Sequence, residues 1–162
     1  MKKEPIKVKE LKASIRAGNF DEVVTGYLED EALLEAARCI QCKNPTCVEG
    51  CPVGIDIKKF IYHITKKDYW AACATIREKN NFPSICGRVC PAEYQCQRSC
   101  VFTKKGSAFA SKEAINIHFL ERFAGDYGMV NNIEVPKEQG GPFTKYKVAV
   151  VGSGPAGLCC AG

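Results

Sequence analysis

The fold is decided by the stretch Cys39-Ile-Gln-Cys42-Lys-Asn-Pro-Thr-Cys47-Val-Glu-Gly-Cys51-Pro52, which places four cysteines close together in the chain. A second set follows at similarly short spacing, again with a proline after one of its members: Cys86, Cys90-Pro91, Cys96 and Cys100. Short spacings let several thiolates converge on one inorganic core without a long ordered loop, and proline after a cysteine turns the chain away from that core. The two stretches therefore predict iron–sulfur ligation.

Zinc is the rival metal for this pattern of cysteines. Structural zinc sites usually take two Cys-x2-Cys pairs, whereas only Cys39 and Cys42 have that spacing here. The uneven gaps, together with Cys51-Pro52 and Cys90-Pro91, favour iron–sulfur clusters. Spacing alone leaves the division of the ligands open, because the fourth cysteine of such a run often binds a neighbouring cluster.

The composition is that of a globular protein with unusual cysteine usage. The 162 residues are 46% hydrophobic and 25% charged, and 11 of them are cysteine. Residues 1–19 contain no continuous apolar stretch, so we expect neither a signal peptide nor a transmembrane span, and a cytoplasmic location. Disulfides are reduced in that compartment, which again favours thiolates bound to metal. The formal net charge of +5 comes from scattered basic residues with acidic ones between them, so we expect no nucleic-acid and no membrane partner.

Apolar residues at helical spacing predict a first helix in the segment from Tyr27 to Cys39, which delivers that cysteine to the first stretch. A second helix begins after Asp56 and a third after Asp68, and each aspartate is positioned to cap its helix. The cysteine-rich loops are expected to lie between the helices.

A fourth helix is predicted after the second cysteine stretch, with Ser111 as its cap. It runs through Ile115, Phe119 and Phe123. Glycine relieves the left-handed strain at a helix stop, so the helix is expected to end near Gly125 or Gly128.

The chain changes character after Gly128. Prolines and glycines interrupt residues 131–146, which we interpret as a linker. The apolar run Lys147-Val-Ala-Val-Val151 predicts a buried strand that leads into a glycine turn before a helix. This turn, Gly152-Ser-Gly154-Pro-Ala-Gly157, is typical of the pyrophosphate grip for FAD. We interpret residues 147–162 as the truncated start of a Rossmann-like FAD-binding domain, with Gly152, Gly154 and Gly157 as its cofactor-binding residues.

From about Asn19 to Gly162 the sequence resembles the N-terminal iron–sulfur domain of the glutamate synthase small (beta) subunit family. This domain is shared with the large subunit of NADH-dependent ferredoxin:NADP oxidoreductase and with dihydropyrimidine dehydrogenase. The motifs that carry the resemblance are the stretch from Cys39 to Pro52, Cys86-Gly-Arg-Val-Cys90-Pro91, Ile115-Asn-Ile-His-Phe-Leu-Glu-Arg-Phe123 and Gly152-x-Gly154-x-x-Gly157. The resemblance implies a mainly α, ferredoxin-like domain with two 4Fe–4S clusters, packed against a flavin domain that an NAD(P)H domain follows.

The resemblance also implies how the ligands divide. One cluster would take Cys39, Cys42, Cys47 and Cys100. The other would take Cys51, Cys90, Cys96 and, by the match of Leu120-Glu-Arg-Phe123, the carboxylate of Glu121. A carboxylate is a harder donor than a thiolate and would shift the potential of its cluster. Cys86 is the second choice for that position.

The other cysteines and the two histidines are expected to be structural. Cys73 lies in a predicted amphipathic helix, and Cys159 and Cys160 follow the glycine turn, where small side chains suit packing. His63 and His118 are isolated along the sequence, so we expect ordinary packing or surface positions for both.

The predicted organisation is a loosely held arm over residues 1–18, a two-cluster domain over 19–130, the linker, and the start of the FAD domain. The implied function is electron transfer. In a longer parent enzyme NAD(P)H would reduce FAD, and single electrons would pass through the two clusters to a partner subunit or a second site. The fragment itself would have no catalytic residues and would bind no FAD.

Two alternatives to electron transfer stay open on the sequence. A zinc-stabilised helical module would organise subunits without redox activity, and it predicts a colourless protein. A domain whose iron–sulfur clusters are purely structural predicts colour without reversible reduction.

Overall fold

The computed structural model describes residues 4–104, 113–134 and 146–162, and it is built from helices. Within these ranges the helices are α1 Ala13–Arg16, α2 Glu29–Ala36, α3 Thr46–Glu49, α4 Ile57–Thr65, α5 Tyr69–Arg77, α6 Pro83–Val89, α7 Ile117–Val130 and α8 Pro155–Ala161, with a 3-10 turn at Ala92–Tyr94. The same ranges contain no strand, only an isolated antiparallel bridge between Glu10 and Val24. The prediction of a mainly helical chain is confirmed. Over the described residues, no helix combines the length and the apolar character that a membrane crossing requires.

Both predicted aspartate caps are present. Asp56 accepts a hydrogen bond from Lys59 N at 3.0 Å at the start of α4, and Asp68 accepts one from Ala71 N at 3.0 Å at the start of α5. Each cap satisfies a backbone donor that the first helical turn leaves unpaired, which stabilises the helix by about 1 kcal/mol. The predicted first helix is also present as α2, which ends just before Cys39.

The cysteine segments are more regular than the predicted loops. Cys47 lies within α3 and Cys86 within α6, which begins with Pro83 at its first turn. Proline is pre-organised for that position because its missing N–H would have no helical partner there. Short helices therefore hold two of the cysteines in place.

The apolar core lies where α4, α5 and α7 meet. α4 buries Phe60, Ile61 and Ile64, α5 buries Ile76, and α7 buries Leu120, each with no more than 1% of its surface exposed. Burying a side chain of this size contributes about 1.5–3 kcal/mol. The first cysteine stretch precedes α4 and the second lies between α5 and α7, so both are joined directly to helices of this core.

α7 begins later than its predicted start. It starts at Ile117, after Ile115, and the predicted cap Ser111 lies outside the described residues. The backbone N–H of Asn116 donates to Glu35 Oε1 at 2.8 Å. A buried carboxylate from α2 therefore holds the segment that enters the helix, an interaction that local sequence does not reveal.

The predicted stop of the fourth helix at Gly125 or Gly128 is wrong, because α7 continues through both glycines to Val130. A Cβ at Gly125 would lie 2.5 Å from Ser84 N, and a Cβ at Gly128 would collide with the Cys73 sulfur. Real Cβ atoms do not approach other atoms so closely. The two glycines therefore permit α5 and α6 to pack closely on α7.

Residues near the N-terminus are held by hydrogen bonds, so the expectation of a loosely held arm is wrong for them. Ile6 N donates to Glu35 Oε2 at 2.7 Å, and the Tyr27 hydroxyl donates to Ile6 O at 2.6 Å. Glu35 is fully buried and also pairs with the buried Arg38. The segment is thus anchored to the same carboxylate that holds the entry to α7.

The strand predicted for residues 147–151 is not formed. These residues adopt neither helix nor strand, and Val148 and Val151 are 84% and 96% exposed. A strand needs a neighbour to pair its backbone groups, and no such neighbour lies within residues 4–104, 113–134 or 146–162. The helix predicted after the glycine turn is present as α8, and residues 135–145 of the predicted linker lie outside the described residues.

Candidate metal centres

The first cavity is bounded by four thiol groups. Cys39 and Cys42 follow α2, Cys47 lies in α3, and Cys100 closes the second cysteine stretch. Gln41 has a φ of 52° and turns the chain between the first two cysteines, and its Nε2 donates to Cys39 Sγ at 3.5 Å. The structure thus brings together the four cysteines that the resemblance assigns to one cluster.

The first cavity is narrow, and its walls are apolar. Its lining includes Ile57, Ile61, Phe102, Ile115 and Ile117, and its volume is about 20 Å³. Apolar walls exclude water and lower the local dielectric constant, which strengthens the interaction between charges inside. The cavity is therefore suited to holding thiolates around a compensating positive core.

The four sulfur atoms of the first cavity repel one another when ionised. Burial, followed by the neighbouring sulfurs of Cys100, Cys39 and Cys42, raises the pKa of Cys47 to about 12. Burial also raises the pKa of Cys39, with Cys42 and Cys100 adding to the effect and hydrogen bonds from Gln41 opposing it. Metals bind thiolates, so a metal centre would supply the positive charge that the ionised set requires.

The second cavity is wider and contains more varied donors. It is lined by Cys51, by Cys90 just after α6, by Cys96 beyond the 3-10 turn, and by Glu121 in the middle of α7. Its volume is about 300 Å³, against about 20 Å³ for the first. These four residues are the ligands that the resemblance assigns to the other cluster. Cys86, the second choice, also lines the cavity from α6.

Glu121 is a buried acid, 7% exposed, in the second cavity. Burial raises the pKa of its carboxyl group to about 7, and the hydrogen bond that Asn80 Nδ2 donates to Oε1 at 2.8 Å opposes the shift. No cationic side chain in the described part of the chain pairs with it. An ionised carboxylate there needs a countercharge, which a metal would provide.

Close packing of α6 on α7 brings Glu121 to the cysteines. A Cβ at Gly87 would lie 2.5 Å from Arg122 N, so only glycine allows the two helices this approach. Cys86 lies in α6 directly before Gly87, and Cys90 follows the end of the same helix. The helix contact therefore sets the separation between these sulfurs and the Glu121 carboxylate.

An ion-pair network ties the same two helices together at the surface. Arg88 Nε lies 2.6 Å from Glu22 Oε1, and Arg88 Nη1 lies 2.7 Å from Asp126 Oδ1. Arg122 Nη2 lies 3.1 Å from Glu22 Oε2. The network joins the segment before α2 to α6 and α7, the two helices that contribute Cys86 and Glu121 to the second cavity.

The two cavities share a wall. Ile57 and Ile117 line both of them. Burial, then Cys51, Cys90 and Glu121, and finally Cys47 of the first set, raise the pKa of Cys96 to about 12. The two donor sets are therefore close enough to interact electrostatically across a thin apolar partition.

Sequence reasoning missed three polar residues that line the second cavity: Asn80, Gln95 and His118, the last expected to be ordinary packing. Gln95 Oε1 accepts a hydrogen bond from Cys90 Sγ at 3.5 Å. His118 Nδ1 is buried and has no hydrogen-bond partner among the described residues. A buried polar atom without a partner is rare unless a further group enters its site, so His118 fits a cavity that receives a polar core. These residues come from three segments, and only His118 lies within a motif of the sequence, the stretch from Ile115 to Phe123.

The cysteines predicted to be structural line neither cavity. Cys73 is buried in α5 against Gly128, as expected. Cys159 and Cys160 in α8 are exposed, so they do not have the predicted packing role in the described part of the chain. His63 is partly exposed, and its Nδ1 lies 4.0 Å from Asp68 Oδ2.

The glycine turn before α8 has the tight geometry that its sequence predicts. Gly152 has a φ of 106°, a conformation that favours glycine, and a Cβ at Gly157 would collide with the Gly152 carbonyl oxygen. Gly154 lies at the N-cap position of α8. Whether this turn holds FAD stays a prediction.

The cysteines of both donor sets are free thiols, available to a metal centre. All eleven cysteines lie in the described residues, and all are free thiols. In the same residues, no group of three or more histidine, cysteine, aspartate or glutamate side chains is arranged to hold one metal ion. Tetrahedral zinc draws its sulfurs to about 2.3 Å from the metal, whereas the inorganic core of a cluster keeps its thiolates apart.

Comparison with known families agrees with this chemistry. Residues 16–133 match the model of the family described as dihydropyrimidine dehydrogenase domain II, 4Fe-4S cluster. The chain belongs to this family. It is therefore a 4Fe–4S domain, which confirms the preference for iron–sulfur over zinc.

Curated relatives of two kinds are similar to this member of the family. The NAD-dependent dihydropyrimidine dehydrogenase subunits PreT of Salmonella typhimurium and Escherichia coli K12 are each 38% identical over 139 residues, which cover 86% of the chain and 32% of the relative. The glutamate synthase (NADPH) small chain of Escherichia coli K12 is 31% identical over 159 residues, which cover 98% of the chain and 31% of the relative. The predicted resemblance is confirmed. The chain spans about a third of the length of these relatives.

Proposed function

We propose that this chain binds two 4Fe–4S clusters and transfers electrons through them. The first would be held by Cys39, Cys42, Cys47 and Cys100, and the second by Cys51, Cys90, Cys96 and Glu121. The observation that carries the proposal is the presence of two adjacent cavities, each lined by one of these donor sets. When bound, such clusters supply one-electron exchange.

The assignment of Glu121 as the fourth ligand of the second cluster rests on its burial. The carboxylate is 7% exposed and has only the neutral Asn80 as a hydrogen-bond partner among the described residues. Bound iron would neutralise it, whereas Cys86 is a small thiol that can stay uncharged in an apolar setting. Both residues line the cavity, so the choice between them needs a direct test.

The apolar wall between the two cavities would favour electron transfer between the clusters. Ile57 and Ile117 line both sites and keep water out of the space between them. An apolar partition would limit the solvent reorganisation that accompanies a change of charge, and the shared wall keeps the two donor sets adjacent, as electron transfer between them requires. The protein thus contributes ligands, burial and spacing, and no acid–base pair or nucleophile is required.

We further propose that the chain serves a longer NAD(P)H-dependent oxidoreductase. The names of the relatives include NAD and NADPH, and the tight glycine turn at Gly152, Gly154 and Gly157 supports a site for the FAD pyrophosphate in the longer protein. Electrons would pass from flavin, through this domain, to a partner subunit or second site. In that organisation residues 1–18 precede the cluster domain 19–130, residues 131–146 link it, and residues 147–162 begin the flavin domain.

Iron and acid-labile sulfide per chain test the cluster count directly, on protein purified without oxygen. We expect about eight of each. About four would contradict the two-cluster proposal, and zinc without sulfide would overturn the iron–sulfur assignment altogether.

Reduction of the longer protein tests the role in electron transfer. With FAD bound, addition of NADPH or NADH is expected to bleach the cluster absorbance, and reoxidation is expected to restore it. Clusters that are present but never reduced by the flavin would contradict electron transfer and favour a purely structural role.

A further inference from the structure

Asn80 contacts both residues that compete for the fourth ligand position of the second cluster. It lies between α5 and α6 and lines the second cavity. Its Nδ2 donates to Glu121 Oε1 at 2.8 Å, and its Oδ1 accepts from Cys86 Sγ at 3.6 Å. One amide group therefore faces the preferred ligand with its donor end and the second choice with its acceptor end.

The orientation of this amide is set by the backbone. Asn80 Oδ1 also accepts from Phe82 N at 2.9 Å. A backbone N–H can only donate, so the oxygen of the amide must be on that side and the nitrogen must point to Glu121. The turn that leads into α6 therefore fixes the amide so that its N–H faces Glu121 and its oxygen faces Cys86.

We infer that Asn80 is a positioning residue that selects Glu121, and not Cys86, as the fourth ligand of the second cluster. The inference rests on the proposed two-cluster function. A carboxylate has two oxygens, and the bond to Asn80 holds Oε1 while leaving Oε2 for iron. The acceptor end of the same amide faces the Cys86 sulfur and repels it as a thiolate, which is the form that ligates.

The cavity supports this division of roles. Glu121 comes from α7 and Cys86 from α6, and both line the space that Cys51, Cys90 and Cys96 surround. With three cysteines and two further donors available, geometry alone allows either residue to complete the set. The amide is the element in the described structure that treats the two donors differently.

Asn80→Ser is the sharpest variant for a test. Serine also accepts from the backbone N–H two residues on, so the bond to Phe82 N and the local turn are preserved, but its short side chain cannot reach Glu121. Its hydroxyl can donate to the Cys86 thiolate, which removes the repulsion that the amide oxygen imposes. We expect Glu121 to be displaced and Cys86 to take its place. Asn80→Ala, which removes both ends of the amide, is the second variant.

The measurements are iron content and the electron paramagnetic resonance spectrum and midpoint potential of each cluster, in the whole chain loaded with clusters. Asn80→Ser is expected to keep about eight iron atoms but to change the spectrum and potential of one cluster only. Adding Cys86→Ala to it is expected to reduce the iron to about four, because neither fourth ligand then remains. Asn81→Ala, at the neighbouring asparagine outside the second cavity, is the matched control and is expected to match the parent.

Three results would overturn the inference. Unchanged spectra in Asn80→Ser would mean that Asn80 does not select the ligand. Retention of about eight iron atoms in the double variant would exclude the exchange of ligands. Loss of one cluster from both single variants, with the other kept, would show that Asn80 only stabilises the site. A parent chain that itself lacks two clusters is a different result, because it contradicts the proposed function and not the role of Asn80.

Discussion

The two cavities are built in different ways. Three of the four thiols around the first come from one short stretch, Cys39 to Cys47, and all its donors are sulfur. The second assembles donors from separate segments, including Cys51, α6 and α7, and adds a carboxylate and several neutral polar groups. Local sequence therefore determines most of the first site, whereas helix packing determines the second. We expect the second to be the more sensitive to changes elsewhere in the fold.

The largest expected effect is the loss of one cluster when a ligand cysteine of either site is replaced. Cys47→Ser and Cys96→Ser should each remove one cluster, lowering iron from about eight to about four atoms per chain, with different spectra remaining. Cys159→Ser changes an exposed cysteine and serves as the control. Loss of all iron from either variant would break the comparison, because it would show that the sites form as one unit.

The next effect concerns the mixed donor set of the second site. Glu121→Ala should lose about four iron atoms and keep the first cluster, because the site loses its fourth ligand. Cys86→Ala should keep about eight, because Cys86 is not used in the parent protein. The opposite pattern would identify Cys86 as the ligand and return Glu121 to a packing role.

The helix contact that builds the second site can be tested through its glycine. Gly87→Ala should destabilise the loaded chain by about 1–3 kcal/mol, because a Cβ there has no room beside Arg122. Denaturant unfolding and the rate of iron loss to a chelator measure the two consequences, and the second cluster should be lost first. Gly154→Ala, where a Cβ would meet nothing within 4 Å, is the control. Equal chelation rates for both clusters would show that the helix contact does not govern the second site.

The smallest effect is expected from the ion pairs that join α6 and α7 to Glu22. Arg88→Leu should cost at most about 1 kcal/mol at pH 7, since the partners are partly exposed. The hydrogen bond from Arg88 lowers the pKa of Glu22, so this contribution is present at neutral pH and disappears as the pH falls through the lowered value.

The control for Arg88→Leu is Lys59→Ala, which breaks an exposed pair at 3.0 Å on another face. Denaturant titrations at low and high salt compare the two variants. A larger loss of the second cluster in Arg88→Leu than in Lys59→Ala would sharpen the distinction between the sites. Equal behaviour would mean that the network adds nothing specific to the second site.

Predictions from the sequence succeeded where the signal was local. The caps Asp56 and Asp68 start α4 and α5 because each satisfies a donor within its own first turn. The same reasoning failed at Gly125 and Gly128, which were expected to end a helix. Their neighbours are Ser84 and Cys73, residues distant in sequence, and close packing decides the outcome there.

Two other errors share this cause. The N-terminal segment is anchored through Glu35, a glutamate that sequence periodicity does not mark as a partner for Ile6. The apolar run at residues 147–151 has the pattern of a buried strand, yet a strand forms only beside another strand. In both cases the partner, and not the segment itself, decides the structure.

The sequence by itself determined the class of cofactor, because cysteine spacing and the prolines that follow specify the chemistry of an iron–sulfur core. Its resemblance to a known family also supplied the division of the ligands into two sets. Only the tertiary structure decided which groups surround each set. Asn80, Gln95 and His118 enter the second cavity from separate segments, and Gly87 lets α6 approach α7 closely enough for Glu121 to join them. Contacts between residues far apart in the chain depend on helix packing, which no local pattern encodes.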